Sequence, residues 1–116
     1  MTRHVRVITA HQPGPAEPLH LEAGEEVIVG RRDDTWPAWV WCEASGGRTG
    51  WAPEAFLARE APEFDRATVL HDYDATELDV PAGSVLEVLS TEGGWFWCRT
   101  DDGRTGWIPE ADTSPA

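Results

Sequence analysis

Trp95 and the carboxylates that surround it in sequence are the side chains best suited to recognition chemistry. In Trp95-Phe96-Trp97-Cys98-Arg99 the period of two of an extended strand puts Trp95, Trp97 and Arg99 on one face. Phe96 and Cys98 then point the other way, into a core. An outward Trp95 beside Pro109 would make an apolar slot; the plainer alternative is a ring that shields the sheet edge. Asp72, Asp74, Glu77 and Asp79 crowd one short stretch, with Glu92 predicted in a loop across from it. Such a set attracts cations, yet it is also what a solvated acidic face looks like, where one exposed ion pair contributes only about 0.2–1 kcal/mol. Bond-making chemistry finds little support. There is no phosphate-cradling Gly loop, no nucleophile elbow and no His and Cys spacing of a zinc site, and His4, His11, His20 and His71 are scattered. The sequence reads as a non-enzyme with no metal and no cofactor.

Charge narrows the partners. The 116 residues carry 9 basic and 21 acidic side chains for a net charge of −12. That balance repels phosphate backbones and anionic headgroups, which argues against nucleic acid and membrane partners. The deficit is uneven along the chain: residues 1–60 hold six Arg against nine acids, residues 61–116 three Arg against twelve. No stretch approaches the roughly 20 apolar residues that cross a bilayer, and Met1-Thr2-Arg3-His4-Val5-Arg6 leads into no apolar signal run, so a cytoplasmic protein is expected. Cys42 and Cys98 are expected as core thiols rather than a disulfide. Every basic residue is Arg, a composition found in some bacteria.

The elements that must position these residues come as a repeat. Trp39–Ala55, WVWCEASGGRTGWAPEA, matches Trp95–Ala111, WFWCRTDDGRTGWIPEA, at 11 of 17 positions without a gap and at an offset of 56. Leu19-His20-Leu21-Glu22-Ala23-Gly24 answers Leu78-Asp79-Val80-Pro81-Ala82-Gly83 at an offset of 59, so the first copy holds three extra residues around Asp33–Ala38. Two units are too few for a solenoid, and each must close its own core. Nine Pro, eleven Gly and no helical apolar spacing disfavour helices. Val85–Leu89, Trp95–Thr100 and Arg104–Ile108 read as strands, the last two joined by Asp101-Asp102-Gly103 as a bulged hairpin turn, with Ser45-Gly46-Gly47 its counterpart. Five short strands per copy with no helix to cover them predict an all-β fold of two small barrels. The boundary is placed at Glu60-Ala61-Pro62-Glu63, giving domains 1–61 and 62–116. Counting back from the turns pairs Trp97 with Trp107 and Trp41 with Trp51 on an outward face.

Val69-Leu70-His71-Asp72-Tyr73-Asp74-Ala75, Glu77-Leu78-Asp79-Val80-Pro81-Ala82-Gly83, Trp95-Phe96 and Gly106-Trp107-Ile108-Pro109 stand in the order of four signatures, and together they resemble the Src homology 3 (SH3) domain. The likeness covers the second copy from about Ala67 to Thr113 and the first, more loosely, from about Val5 to Arg59. It implies two five-stranded barrels in tandem that bind extended, proline-rich peptides in an aromatic groove. The peptide-binding residues it implies are His71, Tyr73, Trp95 and Pro109 in the second copy, and Thr9, His11, Trp39, Pro53 and Phe56 in the first. His71 and Asp112 stand where the family places Tyr. Asp74, Glu77 and Glu92 would grip a basic ligand residue, making a basic, proline-containing peptide the expected partner, bound mainly by the second copy. The alternative is an assembly protein that uses its Trp-rich faces for oligomer or subunit contacts.

Overall fold

A computed structural model describes residues 2–14, 17–59, 61 and 65–116. Glu60, Pro62 and Glu63 of the expected boundary lie outside the described residues. The described chain is all-β, apart from single 3-10 turns at Ser45–Gly47, Glu54–Phe56 and Glu110–Asp112.

The first strand, β1 (Arg3–Val7), does not join the strands that follow it. Next come β2 (His20–Leu21), β3 (Glu26–Arg32), β4 (Trp39–Glu43), β5 (Thr49–Pro53) and β6 (Leu57–Ala58). The second copy supplies β7 (Arg66–Val69), β8 (Tyr73–Asp74), β9 (Val85–Glu92), β10 (Trp95–Arg99), β11 (Thr105–Pro109) and β12 (Thr113–Pro115). One five-stranded sheet runs β11-β10-β9-β1-β12 and the other β5-β4-β3-β7-β6, with β2 and β8 pairing separately. Each barrel thus holds the first strand of the other copy.

The chain accordingly divides into a unit made of Met1–Glu17 with Thr76–Ala116 and a unit made of Pro18–Ala75. This spatial division differs from the sequential split at 61/62 expected from the repeat. The physical reason lies in the repeat itself, because the two first strands present the same pattern. In β1 Val5 and Val7 turn inward, and in β7 Ala67 and Val69 do the same. Neither barrel core distinguishes them by polarity.

In the discontinuous unit, β1 lies antiparallel to β9 with His4 opposite Glu87 and Arg6 opposite Val85. Its core is Val5, Val7, Leu78, Val80, Leu86, Phe96, Cys98 and Ile108. The inward set on β10 is Phe96 and Cys98, as alternation requires. The Thr76–Leu78 segment crosses β11 so closely that Gly106 has no room for a side chain. A Cβ there would meet Leu78 Cγ, Leu78 N and Thr76 O, each at 3.0 Å. Gly103 closes the β10–β11 turn with φ +89°, the left-handed conformation the bulged hairpin needs.

In the continuous unit, β7 sits between β3 and β6, with Val27 opposite Ala67 and Leu57 opposite Val69. Leu19, Leu21, Val27, Val40, Cys42, Ala52 and Val69 are buried in it. Its ends are adjacent: Ala75 N–H donates to Leu19 O at 2.9 Å, and His20 pairs with Asp74. The three extra residues of the first copy fall in the β3–β4 loop, where Asp33 Oδ2 accepts from the backbone N–H groups of Thr35 at 3.0 Å and Trp36 at 2.7 Å.

Candidate functional site

The β10–β11 ladder sets Trp95 opposite Pro109, and the β9–β10 ladder sets it opposite Glu92. Trp95 is half-buried, Pro109 buried and Glu92 half-buried. The wall beside Trp95 is His11, whose ring stands edge-on to the indole with centroids 5.8 Å apart. His11 Nε2 lies 2.7 Å from Glu77 Oε1, and its Nδ1 lies 3.6 Å from Asp112 Oδ2. His11 is held there by its backbone, since its N–H donates to Val80 O and its carbonyl accepts from Val80 N–H, both at 3.1 Å. The result is a half-exposed indole with Pro109 and Glu92 opposite it in the ladders and His11 beside it, the imidazole lying between the carboxylates of Glu77 and Asp112.

His71 and Tyr73, grouped with Trp95 by the sequence, lie in the other unit. There the Tyr73 ring meets Phe56 at 5.7 Å and Trp39 at 6.4 Å, and Phe56 meets His71 at 5.6 Å. Tyr73 Oη donates to Trp51 O at 2.7 Å. Trp39 stands opposite Pro53. This cluster brings together the aromatic set the sequence divided between two copies. Trp39 is only 6% exposed, Tyr73 and Pro53 are buried, Phe56 is half-buried and His71 exposed.

The acidic stretch is divided as well. Asp72 Oδ1 accepts from Ala23 N–H at 2.9 Å and Asp74 Oδ1 lies 3.5 Å from His20 Nε2, both in the continuous unit. Glu77 and Asp79 belong to the other, where the Asp79 carbonyl accepts from Arg104 at 3.2 Å. The residue missed in the Trp95 groove is His11, which the sequence puts in the first copy's groove, whereas it already places Asp112 in this one. The signal for His11 was its match to the acids Glu77 and Asp112, as Tyr73 matches Phe56.

The Trp pairs form in the expected register, Trp97 with Trp107 and Trp41 with Trp51, each with ring centroids 5.2 Å apart. Their burial suits a role in stabilising the sheet better than the exposed partner face that was the alternative. Trp107 is 4% exposed and the other three are half-buried. Thr76–Leu78 hydrogen-bonds along the Trp107 backbone, and the Arg31 guanidinium lies 4.8 Å over Trp51.

Among the described residues no His, Cys, Asp or Glu group is arranged to hold a metal, and no helix is long and apolar enough to cross a membrane. Two ionisations are displaced by burial. Cys42 is pushed up to about 11 and Cys98 to about 12, because each thiol sits in an apolar core. On the surface, the hydrogen bond from Arg32 holds Glu54 below the usual carboxylate range.

Residues 4–59 match the family profile of the variant SH3 domain, and residues 68–110 match that of the SH3 domain. The chain therefore belongs to the SH3 family and carries two such domains in tandem. Among curated proteins, NADPH oxidase organizer 1 of Homo sapiens is 30% identical over 108 residues, covering 79% of this chain and 28% of that protein. Myosin-1 of Aspergillus terreus is 39% identical over 56 residues, 44% of this chain and 4% of that one. Myosin-1 of Aspergillus fumigatus is 38% identical over the same length. The chain spans a small part of each, and none of them supports the bacterial reading of its Arg content. No solved structure matches it. SH3 domains are non-catalytic modules that mediate protein–protein interactions.

Proposed function

We propose that this protein is an adaptor that binds extended Pro- and Arg-containing segments of a partner, mainly through the groove around Trp95. The observation that carries the reading is a half-buried indole with Pro109 and Glu92 opposite it and beside it His11, which lies between the carboxylates of Glu77 and Asp112. An extended polyproline segment loses little entropy on docking against such a ring. The carboxylates favour a cation beside it, and a cation over an indole face adds about 0.5–2 kcal/mol. The other groove contributes less, because Trp39 is nearly covered. The acidity of the chain argues against nucleic acid and membrane partners. A cytoplasmic setting suits the two free core thiols.

Titration of a Pro- and Arg-rich peptide library against the full chain tests this. Trp95→Ala is expected to remove binding, Glu77→Gln and Asp112→Asn to weaken it in part, and added salt to weaken it further. His71→Ala leaves it unchanged, since His71 lies in the other unit. Peptides that bind Trp95→Ala as well as wild type, or a library that selects acidic peptides, would sink the reading.

A further inference from the structure

The two first segments occupy slots that are the same in backbone terms. In one, Gly83 N–H donates to Val7 O at 2.7 Å, Val7 N–H to Ser84 O at 2.8 Å, and Ile8 N–H to Asp112 O at 2.8 Å. In the other, Gly24 N–H donates to Val69 O at 2.7 Å, Val69 N–H to Glu25 O at 2.8 Å, and Leu70 N–H to Phe56 O at 2.8 Å. His4 opposite Glu87 corresponds to Arg66 opposite Ile28. Hydrogen bonds and apolar alternation therefore leave the choice of slot open. By backbone pairing alone, each segment would serve either copy.

What differs is the side chain that follows each strand. His11 meets Glu77 at 2.7 Å and Asp112 at 3.6 Å. At the equivalent places its own copy offers Pro18 and Phe56, which accept no hydrogen bond from an imidazole. Tyr73 meets Phe56 and Trp39 where it lies, and in its own copy would face Asp112 and Glu77 instead. His11 finds carboxylates, and Tyr73 finds aromatic rings, by crossing over.

We infer that His11 and Tyr73 select the exchanged connectivity, so that Pro18–Ala75 closes as a permuted barrel inserted in a loop of the other. The selection is a conformational device independent of any peptide: it decides which copy completes each groove. Adjacency of the inserted barrel's ends, at Leu19 and Ala75, is what such an insertion requires. The connectivity then persists because the opposite choice leaves the His11 ring beside Pro18 and Phe56, with no carboxylate to accept from it, and takes Tyr73 away from the Phe56 and Trp39 rings.

Two pairs of introduced thiols in the full chain read the choice. Directly opposed strand residues lie within disulfide reach. His4→Cys with Glu87→Cys closes within one chain in the exchanged form, and His4→Cys with Ile28→Cys closes only if β1 returns to its own copy. The wild-type background is expected to close the first pair. In the background His11→Tyr with Tyr73→His, the ratio of first to second is expected to fall about tenfold or more, the scale of one charge-assisted hydrogen bond. Should that background fail to fold, Phe56→Asp with Asp112→Phe changes the slots instead of the segments and is expected to move the ratio the same way. An unchanged ratio in a folded swapped background overturns the inference. So does closure of the second pair in wild type, or closure of the first pair only as a disulfide-linked dimer.

Discussion

Cys42 and Cys98 take their chemistry wholly from where they sit. Both are fully buried and both thiols are pushed far above ordinary values, so the thiolate, the reactive form, is almost absent at neutral pH. Alkylation at pH 8 is therefore expected to run no faster than unfolding exposes the cores. Mass spectrometry of iodoacetamide labelling with and without denaturant checks it, and rapid labelling of the native chain would contradict the packing. At the surface, Glu54 is drawn down by Arg32, with Arg59 adding to it. A carboxyl whose folded value lies below its unfolded one contributes stability that is complete above the unfolded value, near 4.5, and lost as pH falls through the folded value. Glu54→Gln is accordingly expected to reduce the loss of stability between neutral pH and pH 3, measured by urea melts at both. Residue identities of this kind were legible in the sequence only as types. Alternation sorted Phe96 and Cys98 inward, but it put Trp107 outward, because nothing in β11 itself signals that Thr76–Leu78 will lie along it.

Strands and turns were the most legible level. The hairpins at Trp95–Pro109 and Trp39–Pro53 follow from their turn residues, and the register that pairs Trp with Trp follows from the turn lengths. The order of elements along the chain was legible too, because each is coded locally by alternation and by Gly or Pro. Which β1 joins which sheet was not, because β1 and β7 carry the same inward pattern and their slots offer the same hydrogen bonds. His71 and Tyr73 accordingly lie with Phe56 rather than with Trp95. Close approach between elements supplies a test at this scale. Gly106 sits where Leu78 N and Thr76 O leave 3.0 Å for a Cβ, and both are backbone atoms that cannot rotate away. Gly106→Ala is expected to cost about 1–3 kcal/mol, typical of overpacking. Thermal melts of the full chain would show it, and an unchanged Tm would mean the Thr76–Leu78 segment does not hold against β11.

For the whole molecule, exchange redistributes charge and autonomy alike. The sequence halves differ strongly in acidity, yet the discontinuous unit has four Arg against nine acids and the continuous one five against twelve. Neither unit is the acidic one in the sense the linear sequence suggested, so ligand sign depends on local carboxylates rather than on a bulk difference between barrels. Autonomy follows the units too. Pro18–Ala75 holds the whole sheet β5-β4-β3-β7-β6 and the β2–β8 pair in one uninterrupted stretch. Its length falls in the range of about 55–65 residues at which many domains fold alone. Residues 1–61, by contrast, lack β7, and fill the gap between β3 and β6 only by bringing β1 back with His11 facing Phe56. Residues 18–75 expressed alone are therefore expected to give a dispersed amide spectrum whose shifts overlay those of the same residues in the full chain. Residues 1–61 are expected to melt at lower temperature or to show displaced shifts around Phe56 and Trp39. An unfolded 18–75 beside a stable 1–61 that overlays the full chain would restore two sequential barrels and return His71 and Tyr73 to the Trp95 groove.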